Sequence, residues 1–92
     1  MPKSARSNPD AIRFGAIIQR LRRQRGWTLV ELARRCDMNP SYLGTLEKGG
    51  NIPSLGTILD LGDIFGIDAA DIVREVEQQR RGIRGAGHDT PR

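Results

Sequence analysis

The residues that could carry catalysis in this chain are few and badly placed for it. The single histidine, His88, lies in the Gly- and Arg-rich stretch RRGIRGAGHDTPR, which is expected to be disordered and so offers no fixed partner to a serine or cysteine. The single cysteine, Cys36, falls one helical turn from Ala33 and reads as core filler rather than as a nucleophile. One Cys and one His fall short of the ligand set of a structural zinc site. Asp60 and Asp63 share a helix face but have no neighbours that would trap a proton between them. This pattern predicts no enzyme, no metal and no cofactor. A different chemistry is offered by Ser41, Tyr42 and Thr45. On one helix they point away from the side that Leu43 and Leu46 bury, and their hydroxyls can both donate and accept hydrogen bonds.

Those hydroxyls depend on how their helix is held. The stretch ELARRCDMNPSYLGTLEKGG has apolar residues at helical spacing, yet Asp37-Met38-Asn39-Pro40 cuts through it. Thr28-Leu29-Val30-Glu31 is a capping box that starts a helix running to about Cys36 and burying Leu32, Ala33 and Cys36. Asp37 tolerates the left-handed conformation needed to stop it. Asn39 is a good N-cap, and Pro40 suits the first helical position of a new segment running from Pro40 to Lys48, with Gly49 as its C-cap. Two helices joined by so short a turn, with Met38 as an apolar plug beneath it, form a helix-turn-helix pattern. The break sets the second helix at a steep angle to the first, the arrangement that lets a helix enter a groove of DNA.

Around this pair the spacing predicts three more helices and no strand. Asp10 is the expected cap of the first, with Phe14, Ile17, Ile18 and Leu21 inward, and Gly26 ends it. Trp27 is expected to pack beneath the first two helices. Ser54 caps a fourth, with Leu55, Ile58, Leu59 and Phe65 at core spacing, and Asp68 caps a fifth, with Ile72, Val73 and Val76. The fold class is therefore all-α. Residues 1–9 read as a flexible basic arm, 10–79 as the domain and 80–92 as a disordered tail. Leu61, Ile64, Val73 and Val76 exceed what so small a core needs, and are expected to form a homodimer interface.

Charge divides the chain more sharply than its net of +4 suggests. Residues 1–48 carry a net +6, residues 49–79 a net −5, and residues 80–92 a net +3. A basic half fits a polyanion and leaves the acidic half for something else. No apolar run approaches the roughly 18 residues of a membrane span, and MPKSARSNPD lacks the apolar core of a signal peptide. A cytoplasmic location, with no membrane partner, is expected.

In register, RLRRQRGWTLVELARRCDMNPSYLGTLEKG followed by IPSLGTILDLGDIFGIDAADI resembles the phage-repressor and Cro-like helix-turn-helix domains of the xenobiotic-response-element type. The likeness runs from about Ile12 to Val76, and the length is similar to that of restriction-modification controller proteins. It implies a five-helix, lambda-repressor-like fold and a transcriptional regulator that binds double-stranded DNA as a homodimer on a palindromic site. The third helix would lie in the major groove, with Pro40, Ser41, Tyr42 and Thr45 at the bases. Thr28, Asn39, Lys48, Gly50 and Asn51 would meet phosphates, the last two through backbone N–H groups, and Arg13 and Arg20 would add long-range attraction. It also implies an ion pair between Arg22 and Glu47, which would lock the third helix to the scaffold.

Departures from the family pattern are visible. Leu29 stands where the family commonly has a Gln that grips a phosphate, Asp37 replaces a Gly in the turn, and Pro40 occupies a common base-reading position. These sustain a second reading, in which the helices form an antitoxin-like module that binds a protein partner and has weak or lost DNA contact. Gly44, unfavourable inside a helix by about 1 kcal/mol relative to Ala, is expected where the backbone approaches DNA.

Overall fold

Asn8 opens the first helix. Its side-chain oxygen accepts from the N–H groups of Asp10 at 2.9 Å and Ala11 at 3.1 Å, with Pro9 in the first turn, where its missing N–H costs nothing. The expected cap, Asp10, is instead inside the helix and holds Arg13 at 2.8 Å. A computed structural model describes residues 8–82. Its helices are α1 (Pro9–Gln24), α2 (Leu29–Cys36), α3 (Pro40–Glu47), α4 (Leu55–Phe65) and α5 (Ala69–Arg80), and there is no strand among the described residues. Most of the expected arm and tail lies outside the described residues, while Pro9 and Arg80 belong to helices.

Helices α1 to α4 close in one way. One or two positions past each helix a residue takes a positive φ and its N–H donates three residues back, while the next N–H donates five residues back. Gly26, Gly49 and Gly66 supply that conformation after α1, α3 and α4; after α2 it falls to Asp37, at φ 56°. In α3 the pair is Gly49 to the Leu46 carbonyl at 3.0 Å and Gly50 to the Thr45 carbonyl at 2.9 Å. Asp68 stands at the N-cap position of α5 but makes no side-chain capping bond.

The core is built on α1, whose Phe14, Ile17, Ile18 and Leu21 meet Leu32 and Ala33 of α2, Leu43 and Leu46 of α3, Leu61 and Phe65 of α4 and Ile72 of α5. Burial of this apolar surface is the main stabilising term. Gly15 lets α1 and α3 touch backbone to backbone, since a Cβ on it would lie 2.2 Å from the Leu46 carbonyl oxygen.

The face of α4 differs from expectation. Leu61 is completely buried and Phe65 nearly so, whereas Leu55 is 71% exposed and Leu59 49% exposed. Helix α4 is apolar on nearly every side, so two helical stripes compete. Ile58, Leu61 and Phe65 win because Gly62 shares their side and lets the turn into α5 pass close, a Cβ on it lying 2.8 Å from the Ile67 carbonyl oxygen. Leu61, expected at a dimer interface, is thus a core residue with no surface to offer a partner. Ile64 and Val76 are half-buried against the same core, and Val73 is exposed.

Candidate nucleic-acid interface

Helix α3 is held from beneath. Glu47, at its last position, is buried, and its carboxylate accepts from Arg22 Nε at 2.7 Å and from a second Arg22 nitrogen at 3.0 Å, a two-pronged pairing. Gln19 adds a longer bond to Glu47 at 3.4 Å, and the remaining arm of Arg22 donates to the Trp27 carbonyl at 2.9 Å. One guanidinium thereby ties the end of α3 to α1 and to the turn before α2. The hydrogen bond to Glu47 raises the Arg22 pKa, and Arg22 stays charged at any pH at which the protein folds.

The outward face is left to solvent. Pro40, Ser41 and Thr45 are exposed and Tyr42 is half-buried. The Thr45 hydroxyl donates to the Ser41 carbonyl at 3.0 Å, which leaves its oxygen lone pairs to accept from an outside donor. The Asn39 side-chain oxygen accepts from Ser41 N–H at 2.7 Å and Tyr42 N–H at 3.4 Å, so only its amide NH2 is left to meet a phosphate. Lys48 is exposed, directly after the helix.

Other expected phosphate contacts are altered. The Gly50 N–H is committed to the Thr45 carbonyl and cannot serve a phosphate without opening the end of α3. Asn51, next in the loop, is half-buried. At the start of α2, Thr28 N–H donates to the Glu31 carboxylate at 2.7 Å and Glu31 N–H donates back to the Thr28 hydroxyl oxygen at 3.1 Å. This cap depresses the Glu31 pKa through the Thr28 backbone bond and fixes a negative charge where a phosphate would approach. Nor do Arg13 and Arg20 stand free. Arg13 pairs with Asp10, and Arg20 forms a two-pronged pair with Glu75 of α5 at 2.6 and 2.9 Å.

Several contacts have no clear signal in the sequence. Gly15 and Gln19 look like ordinary positions of α1, yet both lie against α3. Trp27 stacks on Phe65 with ring centres 5.7 Å apart, Arg35 lies 4.2 Å from the Trp27 ring, and Arg25 lies over both rings while donating to the Phe65 carbonyl at 2.5 Å. Gly44 faces α2, where a Cβ on it would stand 3.2 Å from a δ-methyl of Leu29. Its lack of a side chain thus leaves room for Leu29. Cys36 is half-buried, and burial pushes its thiol pKa up, followed by the nearby charge of Asp60.

Five helices, a short α2–α3 turn and a third helix locked from below with a polar face outward define a helix-turn-helix domain. Residues 13–74 match the helix-turn-helix domain family, and the chain belongs to it. An uncharacterized HTH-type transcriptional regulator of Sinorhizobium fredii is 30% identical over 70 residues, covering 76% of this chain and 91% of that protein. Among solved structures, the clp gene regulator ClgR from Corynebacterium glutamicum superposes with a TM-score of 0.72 at 28% identity, over 78% of this chain and 77% of that one. The restriction-modification controller protein C.AhdI from Aeromonas hydrophila superposes with a TM-score of 0.65 at 30% identity, over 68% of this chain and 96% of that one. The relatives are transcriptional regulators, and the chain is a helix-turn-helix transcriptional regulator of the same kind.

Proposed function

We propose that this regulator docks α3 in the major groove of a palindromic DNA site as a cytoplasmic homodimer, acts by occupancy and has no catalytic role. The observation that carries the reading is the asymmetry of α3. Its inward end is fixed through Glu47, while Pro40, Ser41, Tyr42 and Thr45 face outward in position to meet base edges. Lys48, the Thr28 hydroxyl, the Asn39 amide and the Asn51 backbone serve the phosphates, with Gly50 in a packing role only. The dimer forms across the exposed apolar side of α4 and α5, where Leu55, Leu59 and Val73 line one groove, and Val73 and the half-buried Val76 line a second one. A two-fold pairing there sets two recognition helices about one DNA turn, roughly 34 Å, apart.

A second reading, a module that binds a protein partner, is favoured by the start of α2. Leu29 offers no hydrogen bond there, and the Glu31 carboxylate repels a phosphate. Selection of duplexes from a random library, followed by titration of the winner in rising salt, separates the two. Enrichment of a palindrome, weakened by Ser41→Ala and Thr45→Ala and with steep salt dependence, supports the regulator. Failure to enrich any sequence sinks it in favour of the protein partner. Sedimentation of Leu59→Asp as a monomer, against a dimer for the unaltered chain, tests the pairing surface.

A further inference from the structure

We infer that Leu29 and Gly44 act together as a positioning pair that sets how α3 presents its base-facing side, so that operator choice is tuned by two residues that need not touch DNA. The inference deepens the DNA-binding reading and rests on it. Its starting point is a close approach. Leu29, the first residue of α2, is half-buried against the core, and a Cβ at Gly44 would lie 3.2 Å from its δ-methyl, tighter than an ordinary van der Waals contact. Gly44 is in the middle of α3, with Leu43 turned into the core beside it and Thr45 following on the outer face.

Leu43 and Leu46 seat α3 in the core, and two further restraints lie towards its end. Gly15 brings α1 against the carbonyls of Leu46 and Glu47, and Arg22 holds the Glu47 side chain. These fix where the end of α3 sits. Leu29 adds a contact from α2 at the middle of the helix, and a contact there resists rolling of α3 about its own axis. Ser41 and Thr45 are linked by the hydroxyl-to-carbonyl bond at 3.0 Å, so a roll carries both with it. Interfaces of this density respond to one added methyl. A better helix former at position 44 would press on the Leu29 δ-methyl and require it to give by a few tenths of an ångström.

Helix propensity and positioning pull Gly44→Ala in opposite directions, which makes the test sharp. Gly44→Ala, Leu29→Ala and the double variant are made in the full chain, and each is measured for thermal stability and for affinity to the duplex selected by the unaltered protein. The library selection is also repeated on Gly44→Ala. Gly44→Ala is expected to keep or raise Tm yet bind that duplex about tenfold more weakly, a coupling of the size found between touching residues. It is also expected to enrich an altered sequence. Leu29→Ala/Gly44→Ala, in which the methyl has room, should recover most of the affinity lost by Gly44→Ala. If Gly44→Ala costs the same affinity with and without Leu29→Ala, the pairing is overturned and Gly44 becomes a site of direct DNA approach. Unchanged affinity in Gly44→Ala also overturns it. If the unaltered chain selects no duplex, the DNA-binding reading itself fails and takes the inference with it, an outcome distinct from selection with additive variants.

Discussion

Arg22 of α1 and Glu47 of α3, 25 residues apart in the chain, are joined by two hydrogen bonds at a place where the Glu47 side chain is only 3% exposed. A carboxylate this deep is stable only with its partner, and the partner is left short of acceptors when it goes. Glu47→Ala is expected to cost about 3 kcal/mol. Glu47→Gln keeps an acceptor for Arg22 and is expected to cost about 1 kcal/mol. Chemical denaturation followed by the fluorescence of the single tryptophan, Trp27, measures both. A Glu47→Gln cost near zero beside a large cost for Glu47→Ala would show that the volume of the side chain, and not the charged pairing, holds α3.

The turn between α2 and α3 carries a removable strain. Asp37 holds φ 56°, a conformation that glycine adopts freely and that costs other residues roughly 1–2 kcal/mol. Asp37→Gly is therefore expected to gain up to about 1 kcal/mol, partly offset by the greater freedom of glycine in the unfolded chain, and to raise Tm by about 4–8 °C. Asp37→Val, branched at Cβ, should lower it. A calorimetric scan of the two variants decides the matter, and a loss of Tm in Asp37→Gly refutes the strain.

Acid should weaken the contact between α1 and α5. The hydrogen bonds from Arg20 hold the Glu75 carboxyl below its ordinary 4.5, with burial opposing them. A depressed carboxylate pKa stabilises the folded state above the unfolded value, and that contribution is lost as pH falls through the lower folded value. Stability should thus be steady near neutrality and fall below about pH 4.5, and Glu75→Gln should flatten part of that fall. The capping carboxylate Glu31, also depressed, adds to the same acid limb. Melting temperatures taken from pH 7 to pH 3 for both chains test this, and superimposable curves would dismiss the role of Glu75.

Two leucines of α4 two positions apart should behave oppositely. Leu61→Ala opens a cavity in the core and is expected to cost about 2–5 kcal/mol. Leu59→Ala, on the exposed side, should stay within about 0.5 kcal/mol in the dilute, unassociated chain. Urea unfolding at low protein concentration measures both, and similar losses would place Leu59 inside after all.

Local chemistry made much of this protein legible from sequence. The capping box of Thr28 and Glu31, the stop at Asp37, the restart at Asn39-Pro40 and the helix ends at Gly26, Gly49 and Gly66 each depend on residues close in the chain, so the types themselves state the structure. That is why the number of helices, the short turn and the outward placement of Ser41 and Thr45 could be read in advance. What the three-dimensional packing alone decided is which of two apolar stripes on α4 turns inward, and hence that Leu61 is core while Leu55 and Leu59 are surface. It also decided that Asn8 rather than Asp10 begins α1, that Gly50 spends its N–H on the end of α3, that Arg20 is bound to Glu75, and that Gly44 makes room for Leu29. Burial, pairing and close approach belong to neighbours distant in sequence. A residue type fixes what a side chain can do, and the packing of the helices decides which of those capacities remain free for DNA.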